Sequence, residues 1–151
     1  MQLETTKYKL RNPSSWSIFI FGALAFLLGA LGLFMPNLVL TMLGFEVVDA
    51  AVRTSHDYTI GFLTASSMAS FNMGVYYVLA SLNNMKKFYG WTVPFRGVTF
   101  TVFTTAVILG VVPVKFIGVA AWELLGAIAT GAALMYENKR QPAYVQPLMG
   151  D

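Results

Sequence analysis

The stretch from residue 16 to residue 35, WSIFIFGALAFLLGALGLFM, contains no charged side chain. At a rise of about 1.5 Å per residue, a helix over these positions is roughly 30 Å long, which matches the hydrocarbon core of a bilayer. Within lipid, a helix satisfies the hydrogen bonds of its own backbone. The sequence therefore predicts a first transmembrane helix at 16–35.

Three further apolar runs follow, at 58–81, 95–112 and 114–136. The chain is 56% hydrophobic and 11% charged, whereas a soluble domain is usually about 25% charged. These features predict an all-α membrane protein, an antiparallel bundle of four transmembrane helices over 16–136. The absence of cysteine excludes disulfides, thiolate metal sites and cysteine nucleophiles.

Basic residues divide unevenly between the two ends of the predicted bundle. Short loops rich in Lys and Arg stay on the cytoplasmic side of a membrane. We therefore expect both termini on the cytoplasmic-type side of a membrane whose identity stays open. The positive charge lies where it meets lipid phosphates, so no nucleic-acid partner is predicted. Eight of the ten basic residues lie at this end, Lys7, Lys9, Arg11, Lys86, Lys87, Arg96, Lys139 and Arg140, and two at the other, Arg53 and Lys115.

The segments outside the four spans are short. Residues 1–15 precede the first span, and 137–151, with two prolines, are predicted to form an extended tail. After the first span, Pro36 stands at a helix-start position and Gly44 at a stop. This favours a short interfacial helix over 36–45, with a plain extended loop as the alternative.

Small residues recur at helical spacing in the predicted spans. Because lipid supplies no hydrophobic drive for helices to associate, close backbone approach takes its place. In the last span Ala120, Ala127 and Gly131 share a face with Glu123, so this carboxyl is predicted to point toward other helices. The other stripes are Gly22, Ala25, Gly29 and Gly32 in the first span, and Gly61, Ala65 and Ala69, then Ser66, Ser70 and Gly74, in the second.

Glu123 is predicted to lie near the bilayer centre. No basic residue can be placed at that depth, so a neutral, hydrogen-bonded carboxyl is expected. Three roles stay open for it: fastening helices, contacting a ligand such as a pigment or quinone, and proton transfer or acid catalysis. The hydroxyls expected within a helical turn of it belong to Ser66, Ser67, Ser70, Thr104 and Thr105.

Two further polar groups accompany the second span. Asn72 and Tyr76 lie one turn apart and are expected to bond to neighbouring helices. Arg53, His56 and Asp57 lie just before the span, where Asp57 suits the positive end of the helix dipole. A lone histidine without cysteine is weak support for a metal or pigment ligand, so no metal site is predicted.

The segment NNMKKFYGWTVPFRG, residues 83–97, is predicted to be a loop on the cytoplasmic-type side. Its cations would meet lipid phosphates and its aromatic rings would lie at the headgroup level. A surface for a partner protein is the alternative, since Arg and Trp often anchor interfaces. The residues of this predicted anchor are Lys86, Lys87, Phe88, Tyr89, Trp91 and Arg96.

Residues 83–130 include two segments that resemble a known group of membrane proteins. The segments FYGWTVPFRG and WELLGAIAT resemble a group of small bacterial and fungal four-span membrane proteins of no assigned function. The resemblance covers about a third of the chain and implies the fold without an activity. The matching positions are Phe88, Tyr89, Trp91, Arg96 and Glu123, while Gly90 and Pro94 depart from the pattern.

Two functions fit these features best; a small carrier or proton pathway ranks behind them, because the sequence shows no inverted repeat or broken helix. The first is a non-catalytic accessory subunit that packs with other subunits in a larger membrane complex and contacts lipid or a cofactor. The sequence requires no particular cofactor, although a pigment or quinone contact fits it. The second is a membrane-embedded enzyme acting on a lipophilic substrate, with Glu123 as its general acid or base.

Overall fold

The described part of the chain, residue 10 and residues 12–140 of the computed structural model, consists of helices and their connections and contains no strand. It forms five α-helices, and one turn of 3-10 helix at Val114–Phe116 leads into the last of them. The helices are α1 Pro13–Phe34, α2 Pro36–Leu43, α3 Thr59–Leu82, α4 Lys86–Ile108 and α5 Ile117–Arg140.

Proline and glycine set the limits of the first two helices. Pro13 and Pro36 occupy the first turns of α1 and α2, where the amide N–H that proline lacks would have no helical partner. Gly44 ends α2 in the left-handed conformation, with φ at 85°, and Phe45 donates its amide to the Leu40 carbonyl at 2.9 Å. The helix predicted over 36–45 is therefore present at 36–43.

Helices α1 and α3 run antiparallel in direct backbone contact. A methyl group on Gly29 would lie 2.4 Å from the Phe71 nitrogen, and one on Gly74 would lie 2.4 Å from the Phe26 nitrogen. The Ser70 hydroxyl donates to the Ala25 carbonyl across the same contact, at 2.9 Å. Close approach at glycine thus holds this pair together, as the small-residue pattern of α1 predicts.

The remaining helices complete the packing around α1. Helix α4 packs mainly against α5, and α5 packs against α1, where the Ser17 and Thr130 hydroxyls lie 2.8 Å apart. The connection between α4 and α5 includes Gly110 with φ at 68° and the 3-10 turn. The buried core contains Ile18, Phe21, Tyr77, Ala80 and Tyr89, with Phe88, Trp122 and Leu134 packed against it.

Two helical segments are long and apolar enough to cross a membrane, Pro13–Phe34 and Val114–Arg140. Large apolar side chains also lie on the outer surface of α3 and α4, where Phe62 is 76% exposed and Val102 is 56% exposed. The all-helical prediction is confirmed for the described residues. The crossing of a membrane by all four long helices stays a prediction.

Helix boundaries correct the sequence prediction in two places. Helix α4 begins at Lys86 and not near residue 95, so most of the predicted loop at 83–97 is helical, and Pro94 lies inside the helix. Helix α5 continues to Arg140, so residues 137–140 are not part of an extended tail. The predictions for residues 1–9, 11 and 141–151 lie outside the described residues.

Candidate functional site

Glu123 lies on α5, on the face that packs against the other helices. Ala120 and Ala127 on this face are 0% and 8% exposed, while Glu123 itself is half-buried. The spacing of small residues therefore predicts its direction correctly. Among the described residues, its carboxyl interacts electrostatically with Arg96 and receives no hydrogen bond.

Arg96 lies inside the protein and not at its surface. Arg96 is 3% exposed. It lies ten residues after Lys86, the first residue of α4, which corresponds to roughly 15 Å along the helix axis. The expectation that Arg96 anchors a loop at lipid headgroups is therefore wrong. The expectation that no basic residue comes near Glu123 is wrong for the same reason, because 83–97 is helical.

The Arg96 guanidinium packs on aromatic rings of two other helices. Its central carbon lies 3.5 Å from the ring centroid of Phe21 on α1 and 5.1 Å from that of Tyr77 on α3. The Phe21 ring is also stacked on Trp122 of α5, with centroids 5.0 Å apart. Attraction between a cation and a ring face is strongest where water is excluded, as it is here.

Gly126 on α5 leaves the space that the guanidinium occupies. A methyl group at this position would lie 2.6 Å from Arg96 Nη1 and 2.9 Å from the Phe21 ring. Four helices therefore contribute to one arrangement, which we call the Arg96 site: Arg96, Phe21, Tyr77, Trp122, Glu123 and Gly126.

The Arg96 site leaves hydrogen-bond donors unused. None of the three guanidinium nitrogens has an acceptor in hydrogen-bonding geometry among the described residues. The Tyr77 hydroxyl and the Glu123 carboxyl lie near enough to stabilise the positive charge. A buried guanidinium without acceptors is uncommon in folded proteins and requires an explanation.

The five hydroxyl groups predicted around Glu123 differ in burial and in the bonds they form. Ser66 is exposed and donates to the Leu63 carbonyl of its own helix, whereas Ser67 and Ser70 face α1. Thr104 is half-buried and Thr105 is exposed. The Ser66 and Ser70 hydroxyls therefore bond elsewhere, and none of the five hydroxyl groups is hydrogen-bonded to Glu123 among the described residues.

Asn72 and Tyr76 do not form a buried polar pair. Asn72 is half-buried, and Tyr76 is 60% exposed on the outer surface of α3. Tyr77, the next residue, turns inward instead and reaches Arg96.

Glu137 joins three helix ends. Its Oε1 accepts the backbone N–H of Ser14 at 2.8 Å, near the start of α1, and its Oε2 lies 2.9 Å from Lys86 Nζ at the start of α4. The carboxylate therefore caps α1 from α5, because Asn12 at the cap position forms no capping bond with its side chain. Sequence reasoning missed this residue by assigning it to the tail.

Asn84 and Tyr89 extend this group of bonds, which we call the terminal polar cluster. Asn84 accepts hydrogen bonds from the side chains of Asn12 and Ser15, each at 3.1 Å. The Tyr89 hydroxyl donates to the Ala80 carbonyl at 3.1 Å and lies 3.3 Å from Ser15 Oγ. The starts of α1 and α4 and the ends of α3 and α5 are thus fastened together.

The predicted headgroup anchor is split by the helical geometry of α4. Tyr89 is completely buried, Phe88 is half-buried against the core, and Lys86 pairs with Glu137. Lys87 and Trp91 are exposed, and their contact with lipid headgroups stays a prediction. Tyr89, Thr92 and Arg96 form one buried face at helical spacing, but Thr92 and Arg96 are polar, so apolar periodicity in the sequence does not place Arg96 inside.

Arg53, His56 and Asp57 lie together before α3. Arg53 Nε lies 3.4 Å from Asp57 Oδ2, and Asp57 Oδ1 accepts the Thr59 amide at 2.9 Å, at the first residue of the helix. The Thr59 hydroxyl also donates to Asp57, and these bonds hold the pKa of its carboxyl below the ordinary value of 3.8. His56 Nδ1 is 3.2 Å from the hydroxyl of Ser55.

Arg53 also borders a cavity of about 510 Å³ beside α2. Its guanidinium donates to the Val48 carbonyl at 3.0 Å as well as pairing with Asp57, so its donors serve the loop. Asp49 accepts the Ala51 amide at 2.8 Å. Within residues 12–140, no group of three or more acidic or histidine side chains is arranged to hold a metal ion.

No protein family, characterised protein or solved structure matches this chain. The resemblance to small four-span proteins therefore stays a prediction.

Proposed function

We propose that this protein crosses a membrane four times, through α1, α3, α4 and α5, and serves as a non-catalytic subunit of a larger membrane complex. The observation that carries the proposal is the apolar outer surface of all four long helices. Leu27, Phe62, Val102 and Ile128, one on each helix, are 59%, 76%, 56% and 59% exposed. Exposed apolar surface on this scale is typical of contact with lipid or with other proteins.

The terminal polar cluster supports a topology in which successive crossings alternate in direction. Ser14, Asn84, Lys86 and Glu137 meet at one end of the bundle, so the start of α1 and the end of α5 lie on the same side. Lys139 and Arg140 extend this end. By the preference of cytoplasmic loops for positive charge, we place both termini on the cytoplasmic-type side.

The subunit role is supported by how little of the described chain lies outside the helices. The longest described connection, between α2 and α3, binds its own backbone through Arg53, Asp49 and Asp57. The apolar faces of the helices therefore provide the surface for partners. Lipids, other membrane subunits and a cofactor such as a pigment or quinone are the contacts we propose for them.

The mass of the particle extracted from its native membrane tests the subunit role. We expect native mass spectrometry in a mild detergent to find the chain in an assembly much heavier than its own 16.6 kDa, with other chains present. A lone 16.6 kDa chain under conditions that preserve other complexes of the same membrane would contradict the proposal.

A membrane enzyme acting on a lipophilic substrate is the second candidate. The observation in its favour is the half-buried carboxyl of Glu123 beside the buried cation of Arg96. Glu123→Gln separates the two candidates because it retains hydrogen bonding and removes titration. We expect the variant to enter the same assembly; loss of an activity with unchanged assembly would favour the enzyme.

A further inference from the structure

The Arg96 guanidinium is the least satisfied polar group of the described interior. It is 3% exposed, and its three nitrogens have no hydrogen-bond acceptor among residues 12–140. A guanidinium carries five N–H donors in a planar fork. Burial of so many donors is costly unless something accepts their hydrogen bonds.

The groups around Arg96 only partly compensate its charge. The faces of Phe21 and Tyr77 attract the cation, and the Tyr77 hydroxyl lies close enough to offset part of its charge, but one hydroxyl cannot accept hydrogen bonds from the whole fork. Glu123 contributes only through longer-range attraction, since it forms no ion pair with Arg96. Most of the five N–H donors are therefore left for an acceptor other than the described residues.

The planar fork specifies the class of that acceptor. Guanidinium groups bind carboxylates and phosphates through two parallel hydrogen bonds. The surroundings of Arg96 are apolar and aromatic, with Trp122 stacked on Phe21, so an anion that carries an apolar chain loses less on entering than a hydrated free anion does. We propose that Arg96 binds the anionic head of an amphiphile, a carboxylate or phosphate on a hydrocarbon chain, among α1, α3, α4 and α5.

Glu123 marks the side on which this site approaches the protein surface, because it is half-buried while Arg96 is enclosed. An ionised Glu123 competes with the amphiphile for the same cation. Removing its charge should therefore strengthen binding. The inference rests on membrane residence, as proposed above, and is independent of the subunit role.

Displacement of a fluorescent fatty acid from the purified full-length protein in non-ionic detergent tests the inference. Oleate and lysophosphatidate are the anionic probes, and methyl oleate is the neutral control. Acetate and inorganic phosphate test whether a free anion suffices. Arg96→Gln removes the cation, and Lys115→Gln removes one exposed cation in the 3-10 turn before α5 as a matched control.

We expect saturable binding of one anionic amphiphile per chain, weakened about tenfold or more by Arg96→Gln, unchanged by Lys115→Gln and strengthened by Glu123→Gln. Equal binding to the wild type and Arg96→Gln overturns the proposal, as does equal binding of oleate and methyl oleate. Displacement by acetate or phosphate at the concentrations at which oleate acts overturns the assignment to an amphiphile.

Two further measurements keep the result interpretable. If Arg96→Gln does not fold, Arg96→Lys replaces it, because lysine keeps the charge and lacks the fork; undiminished binding to Arg96→Lys overturns the proposal. The particle mass is measured on the same preparation. Binding by a lone chain would support the amphiphile site while contradicting the subunit role.

Discussion

The guanidinium carbon of Arg96 lies 3.5 Å from the centre of the Phe21 ring, although 75 positions of sequence separate the two residues. This contact joins α4 to α1, which otherwise share few contacts. It places a positive charge where four helices meet, on the aromatic face of one and beside the acidic side chain of another. The contact should therefore contribute to stability as well as fix the position of Arg96.

A double-mutant cycle measures that contribution. We expect Phe21→Leu and Arg96→Met to be coupled by about 1–2 kcal/mol in the free energy of unfolding in detergent, since a desolvated cation on a ring face is worth about this much. Phe26→Leu is the control, because its ring packs against Phe71 at 4.4 Å. A coupling to Arg96→Met as large for Phe26 as for Phe21 would contradict the assignment.

Glycine at the contact of α1 and α3 gives a second prediction. A methyl group on Gly29 would lie 2.4 Å from the Phe71 nitrogen and 2.7 Å from the Ser67 carbonyl oxygen, and backbone atoms cannot yield without moving a helix. We expect Gly29→Ala to lower the unfolding free energy by about 2 kcal/mol or more.

Gly61→Ala is the matched control for Gly29→Ala. Gly61 lies in α3 with nothing within 4 Å of an added methyl group, so alanine should be neutral or stabilising by up to about 1 kcal/mol through helix propensity. Equal losses for the two variants in a denaturation titration would show that close backbone approach does not hold the pair.

Glu137 gives a third prediction, because its carboxylate serves two helix starts. Glu137→Gln retains an acceptor for the Ser14 amide and loses the ion pair with Lys86. We expect a loss of about 1–2 kcal/mol in unfolding free energy, reduced by the partial exposure of Lys86. Glu46→Gln, at an exposed position between α2 and α3, should change the unfolding free energy little; a similar loss there would refute the cross-helix role of Glu137.

The carboxyl of Asp57 gives a prediction on pH. Bonds from the Thr59 hydroxyl and amide, with a smaller contribution from Arg53, hold its pKa below 3.8. A carboxyl whose pKa is lowered by folding stabilises the folded state above the unfolded pKa and loses that contribution as pH falls through the folded pKa. The bonds at the start of α3 should thus weaken only in acid, below about pH 4.

Titration of the Asp57 carboxyl by NMR checks this expectation. Thr59→Val removes the hydroxyl bond and should raise the midpoint. Thr64→Val should not, because the Thr64 hydroxyl donates only to the Ile60 carbonyl of its own helix. A wild-type midpoint above 3.8, or one that Thr59→Val leaves in place, would contradict the stated cause.

Apolar periodicity and length predicted where most helices lie, because long apolar runs such as 16–35 permit little else. The prediction was wrong at 83–97, where lysines, aromatic residues and Pro94 are typical of a loop. Proline is tolerated inside a helix that neighbouring helices support, and the segment is helical from Lys86.

The Arg96 site could be predicted only in part. The inward direction of Glu123 follows from Ala120 and Ala127, because side chains at three and four residue spacing share a helix face. The partners of Arg96 come from helices whose relative rotation depends on the contacts of Gly22, Gly29 and Gly74, and a single sequence does not specify that rotation. Within α4, the buried face of Tyr89, Thr92 and Arg96 includes two polar side chains, so it leaves no apolar pattern in the sequence.

Labelling of single cysteines tests the central claim most directly, that four crossings enclose Arg96 within the membrane. The natural chain has no cysteine, so each introduced thiol reports alone. In sealed vesicles, a membrane-impermeant maleimide should reach Asn83→Cys and Asn138→Cys from one face, and Ala50→Cys and Val111→Cys only from the other. Labelling of Asn83→Cys and Asn138→Cys from opposite faces, or of Ala50→Cys from the same face as either, would contradict the account.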